Sequence, residues 1–438
     1  MELWLLALIV LGSFLLFLFL GIPVAFAMGG ISLILGYIFW GGMSSVEGFI
    51  LGSYSKVIEF SLTALPLYIF MAGILRYSDL ADDLYETVYR WFGGIKGGLA
   101  AGTTLISTMF AAMVGIATVA TATLGVTARP SMIKRGYDHK LVAGVILAGG
   151  TLGILIPPSV LMIVFATEAN VSAGQLFFAG FVPGGIAALL FMLYALIRCY
   201  INPALGPSIP REERYTLREK LESLRGVILP ALVMIIVLVS IFTGMATPTE
   251  AGAVGVVGSL IAAAMKRKLT WNNFKNMLAM TIKLNGMIFW LIIGAVAYAR
   301  IVSVTGVGEG LASLITDLEI NRWLVLMIMQ VILFILGMFI DPTGILLITS
   351  PLFLPVILQL DFNPIWYGIL FIINMCMAYM TPPFGFSLFV LKGVAPEITM
   401  RELYVSVIPF VLIYIAVIAL VIIFPQLALW LPEQMMQR

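Results

Sequence analysis

The chain has 438 residues, of which 61% are hydrophobic and only 11% are charged, and its formal net charge is +2. Soluble domains carry about 25% charged residues, so this composition excludes an ordinary soluble protein and predicts an all-α polytopic membrane protein. Two cysteines in separate segments and a single histidine provide no cluster for redox, zinc or catalytic chemistry. We therefore expect neither an enzyme, nor a cofactor, nor a nucleic-acid partner.

The first half of the chain predicts crossings that start outside the cytoplasm. Apolar runs near 3–20, 23–40 and 57–75 are each long enough to cross a bilayer core of about 30 Å. They lead into the basic segment 76–96, which the positive-inside rule places in the cytoplasm. The first run lacks a basic flank and a small-residue cleavage site, so we interpret it as a retained span rather than a signal peptide.

An apolar stretch at about 98–128 lies between two basic segments. Since both flanks belong in the cytoplasm, this stretch predicts a re-entrant helical hairpin that enters and leaves the membrane on one side. Its tip falls in "AAMVGIATVATAT", where Gly115 allows a turn and Thr118 and Thr121 supply hydroxyl groups.

The next crossing, at about 141–167, contains the double proline of "GTLGILIPPS". Pro157 and Pro158 remove two backbone donors and resist helical geometry, so we expect a broken helix here. A simple proline kink, which membrane helices tolerate, is the alternative. A fifth crossing near 175–198 follows.

An internal repeat relates the two halves of the chain. Residues of the two halves correspond at one constant separation, that of Pro23 from Pro248, which we call the repeat offset. Five prolines coincide at this offset, Pro23 with Pro248, Pro130 with Pro355, Pro157 with Pro382, Pro158 with Pro383 and Pro207 with Pro432. Since five crossings are an odd number, the second copy is upside down, an arrangement typical of secondary transporters. The prediction is a first repeat, 1–202, a cytoplasmic linker, 203–225, and a second, inverted repeat, 226–438.

The second repeat is expected to contain a hairpin at about 323–352 that opens to the outside. A broken helix at about 366–391 follows it and carries "MTPPFGFS". Its other crossings are predicted near 227–244, 248–265, 277–299 and 404–424.

The two breaks predict ion chemistry, because a broken helix frees carbonyls at one end and amides at the other. Each such group costs several kcal/mol in lipid unless something satisfies it. The carbonyls around 153–156 and 378–381 suit a dehydrated Na⁺, whereas the helix starts after the prolines favour an anion.

The second hairpin tip is expected in "FIDPTGILLITS", where Asp341, Thr343 and Gly344 belong to a turn sequence. Asp341 has two interpretations: a helix N-cap, or a cation ligand or substrate gate, since an ionisable group inside a membrane is a functional candidate. Both hold together if the cap aims the carboxylate at the gap. Asn374 is either a neutral oxygen ligand or an interhelical hydrogen-bond partner.

Glu250, in "MATPTEAGAVG", is the second acid expected to be buried. It lies in the first helical turn after Pro248, where an acid complements the helix dipole. A role in ion coupling is the alternative.

These motifs resemble the large membrane subunit of tripartite ATP-independent periplasmic (TRAP) transporters. The resemblance rests on "AGGTLGILIPPS", "MTPPFGF", "ATPTEAGAVG", "KRGYD" and "FGFSLFVLKGVAPEIT", and it extends over essentially the whole chain. It implies a Na⁺-driven importer of organic acids in the bacterial inner membrane with an elevator motion. It also implies two partners, a small four-helix membrane subunit and a periplasmic substrate-binding protein.

The resemblance also implies the sites. The first Na⁺ site would involve Gly115, Ile116, Thr118, Thr151, Gly153 and Pro157. The second would involve Asp341, Thr343, Gly344, Asn374, Met380, Thr381 and Pro382. Substrate would lie between the tips, near Thr118, Thr121, Ser159, Asp341 and Pro383. Many relatives have a Gly/Ser-rich first tip, whereas "MVGIATVA" has no serine, so Thr118 and backbone carbonyls would have to serve.

A different interpretation keeps the inverted repeats but makes the chain a stand-alone proton- or ion-coupled anion carrier or antiporter. Glu250 and Asp341 would then be proton sites. A membrane enzyme or channel fits less well, because the sequence has no catalytic cluster and neither break resembles a repeated carbonyl filter. The small, mostly apolar residues near the breaks limit the substrate prediction to a carboxylate or sulfonate.

Overall fold

The computed structural model describes residues 3–78, 80–208, 214–317 and 321–436, and it contains helices and no strands within these ranges. Its α-helices are α1 (Leu3–Phe19), α2 (Val24–Phe39), α3 (Met43–Val57), α4 (Ala64–Arg76), α5 (Leu80–Phe92), α6 (Gly98–Val114), α7 (Ala117–Lys134), α8 (His139–Thr151), α9 (Val160–Glu168), α10 (Ala173–Ile201), α11 (Leu217–Ser223), α12 (Arg225–Phe242), α13 (Pro248–Met265), α14 (Trp271–Thr305), α15 (Val307–Asp317), α16 (Arg322–Gly337), α17 (Pro342–Gln359), α18 (Pro364–Ala378), α19 (Phe386–Val394), α20 (Met400–Ile423) and α21 (Gln426–Met436).

The helix lengths confirm an all-α membrane protein. Five helices in the described ranges, α10, α13, α14, α17 and α20, are long and apolar enough to cross a bilayer, and two bent pairs raise the number to seven. Shorter apolar helices, α6 and α8 among them, pack between the long ones. The apolar composition of the chain therefore produces many spans rather than one large soluble core.

Local capping signals fix where several helices begin. Asp138 accepts a hydrogen bond from the Leu141 N–H at 2.9 Å and starts α8. Asn363, which follows Asp138 by the repeat offset, accepts one from the Ile365 N–H at 2.8 Å and starts α18. Side-chain caps of this kind satisfy backbone donors that a helix start leaves free. Both interrupted helices therefore begin with the same chemistry.

The helices pack in two groups. The first group, α1–α4 and α12–α14, includes the contacts of α2 with α14 and of α4 with α13. The hairpin group, α6–α10 and α16–α20, includes the contacts of α8 with α20 and of α10 with α18. Helix α5 packs on α6 and α12, and α15 packs on α14 and α17, so these two helices connect the groups.

One ion pair links the two groups. Lys56, in the last turn of α3, lies 3.3 Å from the carboxylate of Glu168 at the end of α9. The same ammonium lies 3.3 Å from Glu59, which follows α3 in the first group. Lys56 therefore contacts one acid within its own group and one across the boundary between the groups.

The third predicted crossing differs from the structure. We placed it at 57–75, whereas α4 starts at Ala64 after a 3-10 turn at Phe60–Thr63. A separate helix, α3, precedes this turn and is inclined by 55° to the following helix. The polar residues before Ala64, with Pro66 in the first turn of α4, fit a helix start better than a helix interior.

A glycine seam joins α2 to α14 within the first group. A methyl group added to Gly294 would overlap the carbonyl oxygen of Ala25, whereas one added to Gly286, two turns earlier on α14, meets nothing within 4 Å. Protein interiors are packed too densely to absorb such an overlap without shifting the helices.

We expect Gly294→Ala to lower stability by about 1–3 kcal/mol, because overpacking forces α2 and α14 apart. Gly286→Ala is the matched control on the same helix, and its higher helix propensity should leave stability unchanged or raised by up to about 1 kcal/mol. Thermal unfolding of the two variants in detergent checks this. Equal midpoints for both would mean that the seam is not tightly packed.

Candidate functional site

The first break is held by a serine that caps the helix after it. Helix α8 ends at Thr151 and α9 begins at Val160. The Ser159 hydroxyl donates to the carbonyl oxygen of Ile154 at 2.8 Å and accepts from the Met162 N–H at 3.4 Å. Ser159, a predicted substrate residue, is fully buried, and Pro157 before it is also buried. The Ser159 hydroxyl therefore bridges the two ends of the broken helix.

The tip between α6 and α7 lies directly against this break. Gly115 has a φ of +65°, and its N–H donates to the Ala111 carbonyl oxygen at 2.7 Å, so α6 ends here. The next residue, Ile116, has an extended backbone and is half-buried. A methyl group on Gly115 would lie 2.7 Å from the Pro158 carbonyl oxygen, and one on Gly153 would lie 2.6 Å from that of Ala111. Backbone packs on backbone here, and glycine is required at both positions.

Two buried hydroxyls line the seam between this tip and α8. Thr121 is fully buried, and its Oγ1 has no hydrogen-bond partner in the described ranges. Ser107 on α6 is likewise buried and unpartnered. They lie against Gly150 and Gly149 respectively, whereas Thr118 is half-buried. Sequence reasoning missed Ser107, although its place in the hydroxyl-rich "GTTLIST" run was a usable signal.

Thr151 faces the other half of the chain. Its hydroxyl donates to the Ala148 carbonyl oxygen at 2.9 Å and also lies 2.9 Å from the Tyr414 hydroxyl. Because the Thr151 proton is already used, the Tyr414 hydroxyl is the donor in the second hydrogen bond. Its carbonyl oxygen accepts from the Cys376 thiol at 3.3 Å. No sequence signal pointed to Tyr414 as a partner. Thr151 therefore contributes to the contact between the two interrupted helices.

The second break is closed by its own backbone. Helix α18 ends at Ala378, whose carbonyl oxygen accepts from the Thr381 N–H at 3.0 Å. The Thr381 hydroxyl donates to the Met377 carbonyl oxygen at 2.6 Å. Met380 is fully buried, whereas Pro382 is half-buried and Pro383 is exposed. Unlike the first break, the second is partly open.

The tip between α16 and α17 meets the second break through a backbone hydrogen bond. The Gly385 N–H donates to the Met338 carbonyl oxygen at 3.1 Å. Asp341 is half-buried and caps α17 by accepting from the Thr343 N–H at 3.0 Å. Thr343 and Gly344 follow it and are buried. The Asp341 carboxylate thus lies at the tip, and the interpretation of Asp341 as a helix N-cap is confirmed.

Asn374 forms the interhelical hydrogen bonds that the sequence left as one alternative. It is 1% exposed, and its Nδ2 donates to both the backbone and side-chain oxygens of Gln330 on α16, each at 2.7 Å. Its Oδ1 and the Gln330 Nε2 have no partner in the described ranges. Gln330, a polar residue in the middle of an apolar helix, was missed by the sequence analysis. The side-chain oxygen of Asn374, Oδ1, therefore remains available to accept a hydrogen bond or to bind a cation.

Glu250 corrects an expectation, because it is exposed rather than buried. Its carboxylate accepts from the N–H and the hydroxyl of Thr247 at 2.8 Å, and its own N–H donates back to that hydroxyl at 3.3 Å. This reciprocal capping box starts α13. The geometry gives Glu250 a structural role.

Comparison with known proteins adds a family match. Residues 11–427 match the family described as "Tripartite ATP-independent periplasmic transporter, DctM component". Over 393 residues, 89% of this chain and 90% of the relative, the chain is 32% identical to the C4-dicarboxylate TRAP transporter large permease protein DctM of Pseudomonas aeruginosa. It is also 27% identical over 423 residues to the isethionate TRAP transporter permease protein DctMQ of Oleidesulfovibrio alaskensis. That alignment covers 96% of this chain and 66% of that protein.

A solved structure shares the fold. The YdaH transporter of Alcanivorax borkumensis aligns with a TM-score of 0.66 over 96% of this chain and 98% of that chain. The sequence identity is 13%, so this likeness concerns the fold alone.

The Asn374–Gln330 contact predicts a measurable coupling between α16 and α18. In a double-mutant cycle with Asn374→Leu and Gln330→Leu, we expect a coupling free energy of about 0.6–1.7 kcal/mol, the size found for hydrogen bonds between membrane helices. Thermal or denaturant unfolding of the four proteins in one detergent measures it. Additive single effects would show that the two amides do not stabilise each other.

Proposed function

We infer the function from one premise: the chain belongs to the DctM component family of tripartite ATP-independent periplasmic transporters. It is therefore the large permease subunit of a transporter for organic acids, a multi-pass protein of the inner membrane, and not an enzyme. We propose that it imports an organic anion by coupling its movement to Na⁺.

The observation that carries the Na⁺ proposal is the pairing of each tip with a break. Na⁺ is a hard cation that takes oxygen ligands. At the second break, the Asp341 carboxylate lies at the tip, and the buried Asn374 Oδ1 has no partner in the described ranges. At the first, the Thr121 hydroxyl is buried and likewise unpartnered. The donor sets support one Na⁺ at each break, with the stronger set at the second.

We propose a carboxylate or sulfonate as the substrate. The names of two relatives specify C4-dicarboxylates and isethionate, which is a sulfonate. Helices α9 and α19 both begin just after a break, and helix starts favour anions. Thr118, Thr121 and Asp341 at the tips would contact the substrate, together with Ser159 and Pro383 at the breaks.

Two partners belong to the proposal: a small four-helix membrane subunit and a periplasmic substrate-binding protein. The family description itself specifies a tripartite transporter. The match leaves about a third of the DctMQ relative unaligned, which is room for a second membrane component in one polypeptide. The lipid bilayer surrounds the apolar outer surface.

The packing supports the proposed inverted repeats. Helices α2 and α4 precede α13 and the second half of α14 by the repeat offset, and the contact of α2 with α14 has its counterpart in that of α13 with α4. The contacts of α8 with α20 and of α18 with α10 are related in the same way. Thr151 and Cys376, which contact each other, are themselves separated by the repeat offset, as expected near a two-fold axis.

A stand-alone proton-coupled carrier is the alternative function. Its proposed proton sites were Glu250 and Asp341. Glu250 is exposed and engaged in a capping box, which weighs against a proton site there. Asp341 is compatible with either ion, so dependence of uptake on Na⁺ separates the two functions.

Removing Na⁺ and neutralising Asp341 should both abolish uptake. With the complete three-part complex in proteoliposomes, we expect succinate or isethionate uptake to fall at least about tenfold without Na⁺ or in Asp341→Asn. Asparagine caps helices as well as aspartate does, so the stability of Asp341→Asn should stay within about 0.5 kcal/mol of the parent, whereas Asp341→Ala should lose about 1 kcal/mol.

Asp138→Asn is the control, since it makes the same change at an N-cap away from the tips, and it should transport normally. Undiminished uptake without Na⁺ would reject Na⁺ coupling. Normal Na⁺-dependent uptake by Asp341→Asn would leave Asp341 with a capping role only.

The proposed elevator motion would move the hairpin group relative to the first group. The Lys56–Glu168 ion pair crosses that boundary. A short bifunctional thiol cross-linker between cysteines at these two positions should therefore stop uptake, and cleaving the linker should restore it. Cysteines at Lys56 and Glu59, both in the first group, are the control, and their cross-link should leave uptake unchanged. Continued transport with Lys56→Cys and Glu168→Cys fully cross-linked would exclude this motion.

A further inference from the structure

A cavity of about 380 Å³ lies where the two helix groups meet, beside the first tip. Its walls come from the end of α4, from the first half of α14 and from Val119 of α7. Val119 is adjacent to Thr118 and close in sequence to Thr121, the hydroxyl residues of that tip. The cavity therefore borders, from the side of the first helix group, the helix that carries two of the predicted substrate residues.

Two cations line this cavity. The Arg76 Nη1 lies 3.9 Å from the sulfur of Met280 on α14, so the guanidinium reaches across from α4. Lys283 lies one helical turn after Met280 and therefore on the same face of α14. Neither cation forms an ion pair with an acid in the ranges that the structure describes. Both positive charges are thus available to a ligand in the cavity.

The charge pattern places the cavity on the cytoplasmic side. Helix α4 ends at Arg76, where the basic segment 76–96 begins. Helix α14 begins at Trp271, shortly after the run Lys266-Arg267-Lys268. Such basic segments mark the cytoplasmic ends of spans.

The counterpart of Val119 in the second repeat lies close to the first helix group. Gly344 is the counterpart of Val119 at the repeat offset, and a methyl group on Gly344 would lie 3.4 Å from Val24 of α2. The second tip therefore contacts the first group where the first tip borders an open cavity.

We propose that this cavity is the cytoplasmic release vestibule for the transported anion, in which Arg76 and Lys283 hold a carboxylate or sulfonate group before it leaves. The proposal rests on the proposed function for its substrate class. Two charges of one sign in a cleft with apolar walls concentrate oppositely charged solutes. The guanidinium can bind an oxyanion with two hydrogen bonds, whereas the lysine acts as a point charge.

Thiol labelling at Val119 tests the vestibule without any transport assay. The full chain with Val119→Cys, in detergent, is labelled with an anionic reagent, 2-sulfonatoethyl methanethiosulfonate, and with a cationic one, 2-(trimethylammonium)ethyl methanethiosulfonate. We expect the ratio of anionic to cationic rates to fall about tenfold when Arg76→Gln and Lys283→Gln are added. The difference should shrink at high salt. The parent chain is the blank, because Cys199 and Cys376 are both fully buried.

Matched variants keep the result specific. Lys275→Gln removes the same charge from an exposed position on α14 that does not line the cavity, and it should leave the ratio unchanged. Arg76→Lys with Lys283→Arg retains both charges and should retain the ratio, which also controls for folding. An unchanged ratio in the double glutamine variant, or a Val119→Cys that reacts with neither reagent, would overturn the proposal. Because no uptake is measured, a charge-dependent ratio would stand even if Na⁺ coupling failed.

Discussion

The fold depends on one constraint: backbone groups freed by a broken helix must find partners inside an apolar protein. An unsatisfied amide or carbonyl costs several kcal/mol in lipid. At the first break the Ser159 hydroxyl satisfies the Ile154 carbonyl oxygen, and at the second the Thr381 N–H satisfies that of Ala378. Each break also lies against a helical tip, which buries the first break and leaves the second partly open. The breaks, the tips and the glycines between them are therefore one interdependent arrangement.

Some buried oxygens beside the breaks have no hydrogen-bond partner in the described ranges, and under the proposed function they are candidate Na⁺ ligands. The Asn374 Oδ1 and the Thr121 Oγ1 are buried without hydrogen-bond partners in the described ranges, as are the nearby Gln330 Nε2 and Ser107 Oγ. A buried polar atom without a partner calls for an explanation, and a small hard cation bound to these oxygens would provide one. The second break is also partly open at Pro383, whereas the first is buried. The two breaks are thus alike in plan and different in exposure.

The sequence predicted those features that local chemistry determines. Composition and apolar run length identify an all-α membrane protein, and the Asp341-Pro342 turn carries its own capping signal. Tertiary partners were beyond reach, because Tyr414 and Gln330 approach Thr151 and Asn374 only through helix packing. Hydropathy alone also provided no way to separate α3 from α4.

For Glu250, the sequence shows the local structure but not the burial of the side chain. The "TPTE" pattern is a capping box that the sequence displays in full, and the structure forms it. Only the burial was wrongly predicted, because an acid next to an apolar run was assumed to be buried, whereas Glu250 is exposed in the first turn of α13.

The contacts within and between the helix groups differ in kind, and this difference bears on how an anion would pass. Within the first group, Gly294 packs directly against the backbone at Ala25, a contact that resists sliding because any shift creates overlap. Between the groups, close helix contacts such as those of α14 with α17 and of α4 with α6 are accompanied by charged side chains, the Lys56–Glu168 ion pair and the cations of the cavity beside Val119. Ion pairs that solvent can reach contribute little stability. Under the proposed elevator motion this boundary is where displacement would occur, and the cations of the vestibule lie along it.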